Sequence, residues 1–384
     1  MNRLRGRLVI LAMTGLVVGL IWTFNGHEPQ IDTPLPLLHV DTLPPQAQVQ
    51  LVDTALTGTP LAVRLEGRRA VASDGVWHQW PGFAAEGRFD GPAVSMRLAD
   101  ATNRLRVVID DGASGKITLV RPGTKTIEIS GLPAGPHQVR VETLSEADRP
   151  ARFVGFATPS GGQALPVAAA LPRIAFIGDS DTVGYGNTGH QRECSGTQVF
   201  AETDTTQSFP ARVGQALKAE VTVTARSGVG LLRNYGGSAG PTMAALYPLA
   251  IPDRPDLPDD PPGAVATLVV GLGSNDLGSP FAAEEKWGSN AALQSDFQNA
   301  LIAFLKARQS EMPGARIVLL SFTEYGEEMI TSYRAAEAAL RDAGSEVALI
   351  ELPKLERKGC HWHPSLKDHA LIADLLIKAI DSKQ

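Results

Sequence analysis

The chain is notable first for what it is short of. Of 384 residues only two are cysteine, Cys194 and Cys360. Two cannot build a disulfide framework; in an oxidising compartment they can form at most one bridge, and the sequence leaves open whether they meet. Basic residues are outnumbered, 35 Lys and Arg against 41 Asp and Glu, for a net charge of −6, so there is no footprint for nucleic acid. The phosphate-cradling patterns G-x-x-x-x-G-K-[ST] and G-x-G-x-x-G after a strand are both missing; "GYGNTG" (Gly184 to Gly189) lacks their spacing, and nucleotide binding has no support. No G-x-S-x-G elbow occurs, which argues against the α/β-hydrolase arrangement. "CHWH" (Cys360 to His363) offers a thiol and two imidazoles, but C-x₂-C and the remaining ligand positions of a structural zinc site are absent. A structural zinc site is therefore not expected.

One long apolar run exists. "MNRLRGR" carries three arginines, and "LVILAMTGLVVGLIWTF" follows from Leu8 to Phe24 without a charge. This is the charged region and apolar core of an export segment. Its 17 residues are borderline for a spanning helix, and no A-x-A site follows, so a cleaved signal and an anchor both remain open. Residues 1–25 are read as signal peptide or membrane anchor. The folded part is then exported, periplasmic or extracellular, with a possible single-helix tether to the inner membrane through residues 8–24 and the arginines inside.

The remainder has the 43% hydrophobic and 20% charged content of a globular protein able to bury large cores. Residues 26–46, rich in proline and polar side chains, read as a linker. Across 47–160, "LAVRLEG", "AVSMRLAD", "LRVVIDDG", "TKTIEISG" and "HQVRVETL" alternate with period two and are separated by turn residues. That pattern predicts an all-β sandwich or jelly roll. A second linker is expected over 161–172. From 173 to 384 the grammar changes. Continuous apolar strands ("RIAFIG", "VTVTAR", "AVATLVVGLG", "ARIVLLSF", "VALIEL") alternate with helical stretches, one of which places Leu293, Phe297, Leu301 and Phe304 on one face. The expected fold is a three-layer αβα parallel sheet of about five strands, covered on both faces. "IPDRPDLPDDPPG" (Ile251 to Gly263) reads as a surface loop on the ligand side.

Open parallel sheets bind ligands beyond the carboxyl ends of their strands. Past the first strand lie Asp179 and Ser180. Past the second, "SGVGLLRN" supplies Ser227, Gly228, Gly230, Arg233 and Asn234. Past the third lie Asn275 and Asp276, and past the fifth Cys360, His361, Trp362 and His363. Singly, each has a plain explanation: Ser180 as a helix cap, Asn275 and Asp276 as turn formers, His363 as a surface histidine. Together they supply a nucleophile, a base and oxyanion donors, the set that acyl transfer requires.

The blocks "GDSDTVGYG", "SGVGLLRN", "GLGSNDLG" and "HWHPS" resemble the four motif blocks of the SGNH, or GDSL-type, hydrolases, in order and spacing. The nearer likeness is to carbohydrate esterase family 2, which places a jelly-roll domain before a flavodoxin-like SGNH domain. "GRFDGPAVSMRLAD", the "G-x-H" strand at Gly135 to His137, the "F-x-G-F" ending at Phe153 to Phe156 and "HPSxxxH" (His363 to His369) are similar to that family. The resemblance covers about 85% of the chain. It implies Ser180 as nucleophile and His363 as base. Ser180 N–H, Gly230 N–H and Asn275 would form the oxyanion hole, and Asp179 would shape the turn. It further implies an acetylesterase that deacetylates carbohydrate hydroxyls, with an acetylated carbohydrate as partner and neither a metal nor an organic cofactor; the chain is read as a monomer, although the sequence does not fix its oligomeric state. One departure matters. The family's aspartate two residues before the histidine is His361 here, and the superfamily's acid three residues before is Cys360. Without a carboxylate, the base needs another acceptor such as a backbone carbonyl, leaving a Ser–His dyad, with His361 in a supporting place. Trp362 is the candidate to line the substrate pocket. Arg233 and Asn234 either contact substrate hydroxyls or cap, and Trp77 and Trp80 are either sugar platforms or core. Two rivals remain: a lysophospholipase-like or general esterase, and a catalytically impaired carbohydrate-binding homologue.

Overall fold

A computed structural model describes residues 35–259, 264–281 and 284–381. Leu8–Phe24, and with it the export and tether reading, lies outside the described residues; among these no helix is long and apolar enough to cross a membrane. The first half is a sandwich of two antiparallel seven-stranded sheets. Its strands alternate as the sequence does. In Val94–Asp100 and Arg104–Ile109 every second side chain is buried, because successive side chains point to opposite faces. Phe89, Met96, Val107, Ile117, Ile127, Phe153 and Phe156 fill the space between the sheets.

Two expected linkers are partly structured. Leu38–Thr42, inside the 26–46 stretch, is a strand paired antiparallel with Gly115–Val120. Gln163–Leu165, inside 161–172, pairs with Ala84–Asp90. The proline-rich composition pointed to free chain, but each segment covers an otherwise open sheet edge, and that tertiary gain overrides the composition.

The second half is a five-stranded parallel sheet in the spatial order Glu220–Ala225, Arg173–Gly178, Val265–Gly271, Arg316–Ser321, Val347–Glu351. Val265–Gly271 and Arg316–Ser321 are buried almost end to end. Helices Asn290–Glu311 and Glu327–Asp342 cover one face through Phe297, Leu301, Tyr333 and Leu340. Helices Phe209–Leu217 and Leu366–Asp381 cover the other through Val213, Ile372 and Leu376. Chain order reverses direction at Arg173–Gly178, so its carboxyl end, where Asp179 and Ser180 sit, lies at the topological switch point where such sheets open a crevice.

The two halves are tied closely. Trp80 of the sandwich packs into the core under helix Asn290–Glu311, and its Nε1–H donates to the Leu249 carbonyl at 3.1 Å; it is a core aromatic and not a sugar platform. Trp77 donates to Asp74 and lies between the Arg152 and Arg254 guanidiniums. Ile251 is buried, Asp253 exchanges hydrogen bonds with Gln79, and Asp259 pairs with Arg68. The segment expected to be a ligand-side surface loop is therefore, as far as Asp259, an interdomain clasp. A cleft of about 660 Å³ between the halves has Arg64, Glu66 and Arg140 on its sandwich wall; its lining includes Thr182 and Val183 but neither Ser180 nor His363.

Candidate active site

The turn that carries Ser180 follows from local rules. Gly178 ends its strand against Thr182, whose Oγ1 would lie 1.9 Å from any Cβ added there, so only glycine allows the chain to turn so sharply. Asp179 then caps the short helix Ser180–Val183, accepting the Asp181 N–H at 3.1 Å. The cap is Asp179, so the Ser180 hydroxyl is not engaged in capping. It lies 2.8 Å from His363 Nε2.

The histidine arrives from 183 residues away. Its Nδ1 lies 2.9 Å from the Cys360 carbonyl oxygen. A carbonyl only accepts, so Nδ1 carries the proton and the Nε2 lone pair faces the serine hydroxyl. Burial pushes the His363 pKa down, to about 4, against the pull of the Asp181 carboxylate. The ring is neutral near pH 7 and able to accept a proton. The Tyr185 ring packs on it with centroids 4.4 Å apart.

Three carboxylates lock the strand ends together. Asp179 Oδ2 is 2.5 Å from the Ser274 hydroxyl, joining the nucleophile turn to the helix that carries Asn275. Burial, reinforced by the Asp181 charge, raises the Asp179 pKa. Asp276, fully buried, accepts the N–H groups of Leu231, Leu232 and Arg233 at 2.7 to 2.9 Å. Burial opposes ionisation of Asp181, but the Arg357 guanidinium, 2.7 Å away, prevails and holds its pKa below the usual value. Arg357 also donates to the Trp362 carbonyl at 3.2 Å, so Asp181, the residue after Ser180, grips the histidine loop through it. Asn275 is buried and donates through Nδ2 to the Val229 carbonyl at 3.0 Å, leaving its second amide hydrogen for a ligand. This arrangement fits a serine hydroxyl, a neutral base and a set of fixed donors for acyl transfer.

Comparison with known proteins assigns the chain to a family. Residues 65–167 match the family model described as carbohydrate esterase 2 N-terminal. An acetylxylan esterase / glucomannan deacetylase of Cellvibrio japonicus is 31% identical over 333 residues, 85% of this chain and 92% of the relative. The chain belongs to carbohydrate esterase family 2. It is a carboxylic ester hydrolase with an SGNH-type second domain. The cellulase/esterase CelE of Acetivibrio thermocellus is 28% identical over 314 residues, and the match spans 37% of that longer protein. A solved carbohydrate esterase whose active site displays divergent catalytic and non-catalytic binding functions superposes with a TM-score of 0.78 at 30% identity, over 85% of this chain and 99% of the other. A family two carbohydrate esterase from Clostridium thermocellum in complex with cellohexaose gives 0.73 at 25% identity, over 84% and 99%.

Several positions of this family member differ from the sequence reading. The Gly230 N–H donates to Asn234 Oδ1 at 3.2 Å and is buried, so it does not face an oxyanion. The Gly228 N–H, two residues earlier in the same turn and half-buried, has no hydrogen-bond partner among the described residues. Arg233 is buried, and its guanidinium is saturated by Glu285, the Asp276, Ser279 and Pro280 carbonyls and the Ser279 hydroxyl. Asn234 Nδ2 donates to the Ser238 and Gly240 carbonyls. Neither residue is presented to a substrate, because internal partners take their polar groups. His361 is turned from the base: its Nε2–H donates to the Cys194 carbonyl at 2.9 Å, and its Nδ1 accepts from the Tyr185 hydroxyl at 3.0 Å. It supports the loop and not the imidazole. Trp362 is 45% exposed, with its ring centroid 5.8 Å from the Arg192 guanidinium.

The sequence reading missed Tyr185, Asp181, Arg357 and Asp368, the last of which accepts the Glu356, Arg357 and Ser365 N–H groups. No local signal marks Arg357 or Asp368. Asp181 stood in plain view within "GDSD", but its partner is 176 residues away. His361 and Trp362 both have positive φ, 51° and 59°, a state that costs about 1–3 kcal/mol per residue and persists only where surrounding contacts enforce it.

Proposed function

We propose that the protein is an exported serine esterase that removes O-acetyl groups from carbohydrate. Ser180 Oγ attacks the acetyl carbonyl while His363 Nε2 takes its proton. The developing oxyanion is received by the N–H groups of Ser180 and Gly228 and by Asn275 Nδ2. Collapse breaks the bond to the sugar oxygen, which takes the proton from the imidazolium and departs as a hydroxyl, leaving an acetyl-enzyme. Water, activated by the same imidazole, then releases acetate. The observation that carries this reading is the chain of contacts from Ser180 Oγ to His363 Nε2 at 2.8 Å and from Nδ1 to the Cys360 carbonyl at 2.9 Å.

That carbonyl also weighs against the impaired-homologue reading, whose main support is the missing carboxylate. A polar acceptor does hold the ring in its working tautomer. The activity carried in the name of the Cellvibrio relative, on acetylated xylan and glucomannan, gives the substrate class. Export is supported by the arginine-flanked apolar run Leu8–Phe24 and by the Cys194–Cys360 disulfide, since such bonds persist in oxidising compartments. The test is acetate release from a panel of acetylated glycans, together with p-nitrophenyl esters of increasing chain length. The expected pattern is acetate release from xylan or glucomannan and a rate maximum at acetyl. A maximum at octanoyl or longer would move the protein to the lipid esterases.

A further inference from the structure

We propose that the Cys194–Cys360 disulfide is a positioning device for the reaction, holding in place the carbonyl that orients His363 where relatives of the fold use a carboxylate. The inference rests on the reading of Ser180 and His363 as nucleophile and base. The Cys360 carbonyl accepts both the Nδ1–H of His363 at 2.9 Å and its main-chain N–H at 3.1 Å. A carboxylate on a side chain can be held by its own partners. A carbonyl belongs to the main chain, and its direction is only as firm as the residue that carries it.

This loop is poorly disposed to be firm. Arg357, His361 and Trp362 all take positive φ, at 45°, 51° and 59°, and none is glycine, so the segment relaxes unless it is pinned. Cys360 is the pin. Its side chain is fully buried and covalently joined to Cys194, 166 residues away in sequence. Its N–H donates to the Gly186 carbonyl at 3.1 Å. A Cβ at Gly186 would lie 2.4 Å from the Cys360 Cβ, and one at Gly189 would lie 3.0 Å from its Sγ. The bridge thus sits in a slot of small residues on the chain that leaves the nucleophile helix. It ties the chain 14 residues after Ser180 to the residue three before His363. The Cys194 side repeats the grip: the Cys194 carbonyl accepts from His361 Nε2, the Arg192 carbonyl accepts the His361 N–H at 2.7 Å, and Arg192 donates to the Glu356 and Arg357 carbonyls at 2.9 Å.

Cys360 is buried but Cys194 is half-buried, so a small dithiol reaches the bond from that side. Dithiothreitol reduces it by thiolate attack on sulfur, yielding two protein thiols while the reagent closes to its own cyclic disulfide.

The test compares wild type, Cys194→Ala/Cys360→Ala and dithiothreitol-reduced wild type, all on the full chain. The expected result is a fall in kcat of about tenfold to hundredfold with KM within about twofold, short of the ~10⁴ lost when an imidazole is held in the wrong tautomer. The downfield proton resonance of the His363 Nδ1–H disappears in step, and reoxidation of the reduced enzyme restores both. A bridge that serves stability alone predicts a lower Tm with kcat at 20 °C and the resonance unchanged. Should the double variant not fold, the reduced wild type decides. Lost kcat with a native circular-dichroism spectrum supports the proposal. Kept kcat overturns it, and so does global unfolding on reduction. A Ser180→Ala arm separates the two layers. If Ser180→Ala turns over normally, the dyad reading itself fails; if it is inactive while reduced enzyme keeps its kcat, only the role of the disulfide is lost.

Discussion

The nucleophile turn and the histidine loop supply one residue each to the same hydrogen bond, yet they are built by opposite means. Gly178 to Val183 needs little beyond itself: a glycine where no Cβ fits, an aspartate cap and a short helix that sets Ser180 at its start. The loop from Glu356 to His363 needs nearly everything else. It takes three positive-φ residues and is held by Asp181, Asp368, the Cys194 bridge and the chain around Arg192. A nucleophile can be coded locally because only its exposure and its turn matter. A base must be placed relative to a distant partner, and only long-range contacts can do that.

The sharpest way to break the comparison is Ser180→Ala. We expect kcat for acetate release to fall ~10⁴-fold or more with Tm unchanged, since the turn is held by Gly178 and Asp179 and not by the hydroxyl. Residual activity within tenfold of wild type would remove Ser180 from the mechanism. Next is Asn275→Ala, which deletes one fixed donor and should lower kcat by about 10²–10³-fold, roughly 3–4 kcal/mol of barrier, with a smaller change in KM. A change confined to KM would make Asn275 a ground-state contact instead.

The histidine side is probed through Arg357→Met. Asp181 is 1% exposed, so removing its partner leaves a buried, unpaired charge and should cost about 3–5 kcal/mol by urea denaturation. Asp181→Asn in the same chain should recover part of that loss. If Arg357→Met alone is neutral, the pair does not hold the loop.

The mildest probe is pH. Because burial lowers the His363 pKa to about 4, kcat/KM should rise with pH through a midpoint near 4 and be flat from about pH 6 upward. A limb centred at the ordinary 6.5 would mean a solvated ring. Stability follows the same sign at His363, His78 and His369, whose folded values all lie below 6.5 because of burial. The unfolded chain takes up protons that the folded chain refuses, so these groups withdraw stability as pH falls from 6.5 toward 4. Asp179 and Asp276, raised by burial, work in the other direction, losing stability as pH rises through their folded values.

Much of this was readable from residues alone, and unevenly. Period-two alternation gives the sandwich because side chains on a strand point alternately in and out. Apolar runs such as Arg173–Gly178 and Arg316–Ser321 give the parallel sheet because both its faces are covered. Ser180, Asn275 and His363 could be selected because they lie just past strand ends. Gly230 as an oxyanion donor and Arg233 as a substrate contact, one of its two readings, meet the same obstacle. Position in a block shows that a polar group is near the site, but not whether Asn234 or Glu285 already occupies it. Leu38–Thr42 was hidden because an edge strand gains its order from a partner far along the chain.

The order of residues by itself therefore determined the two architectures, the switch point and the placement of Ser180, Asn275 and His363 just past strand ends, since these depend on local periodicity and on which strand each block follows. Only the folded molecule decided which donors stay free, that Cys194 meets Cys360, and that a carbonyl takes the missing carboxylate's part. The Cys194–Cys360 bridge and the Ser180–His363 contact join segments more than 100 residues apart, and such distances are fixed by packing and not by any local pattern.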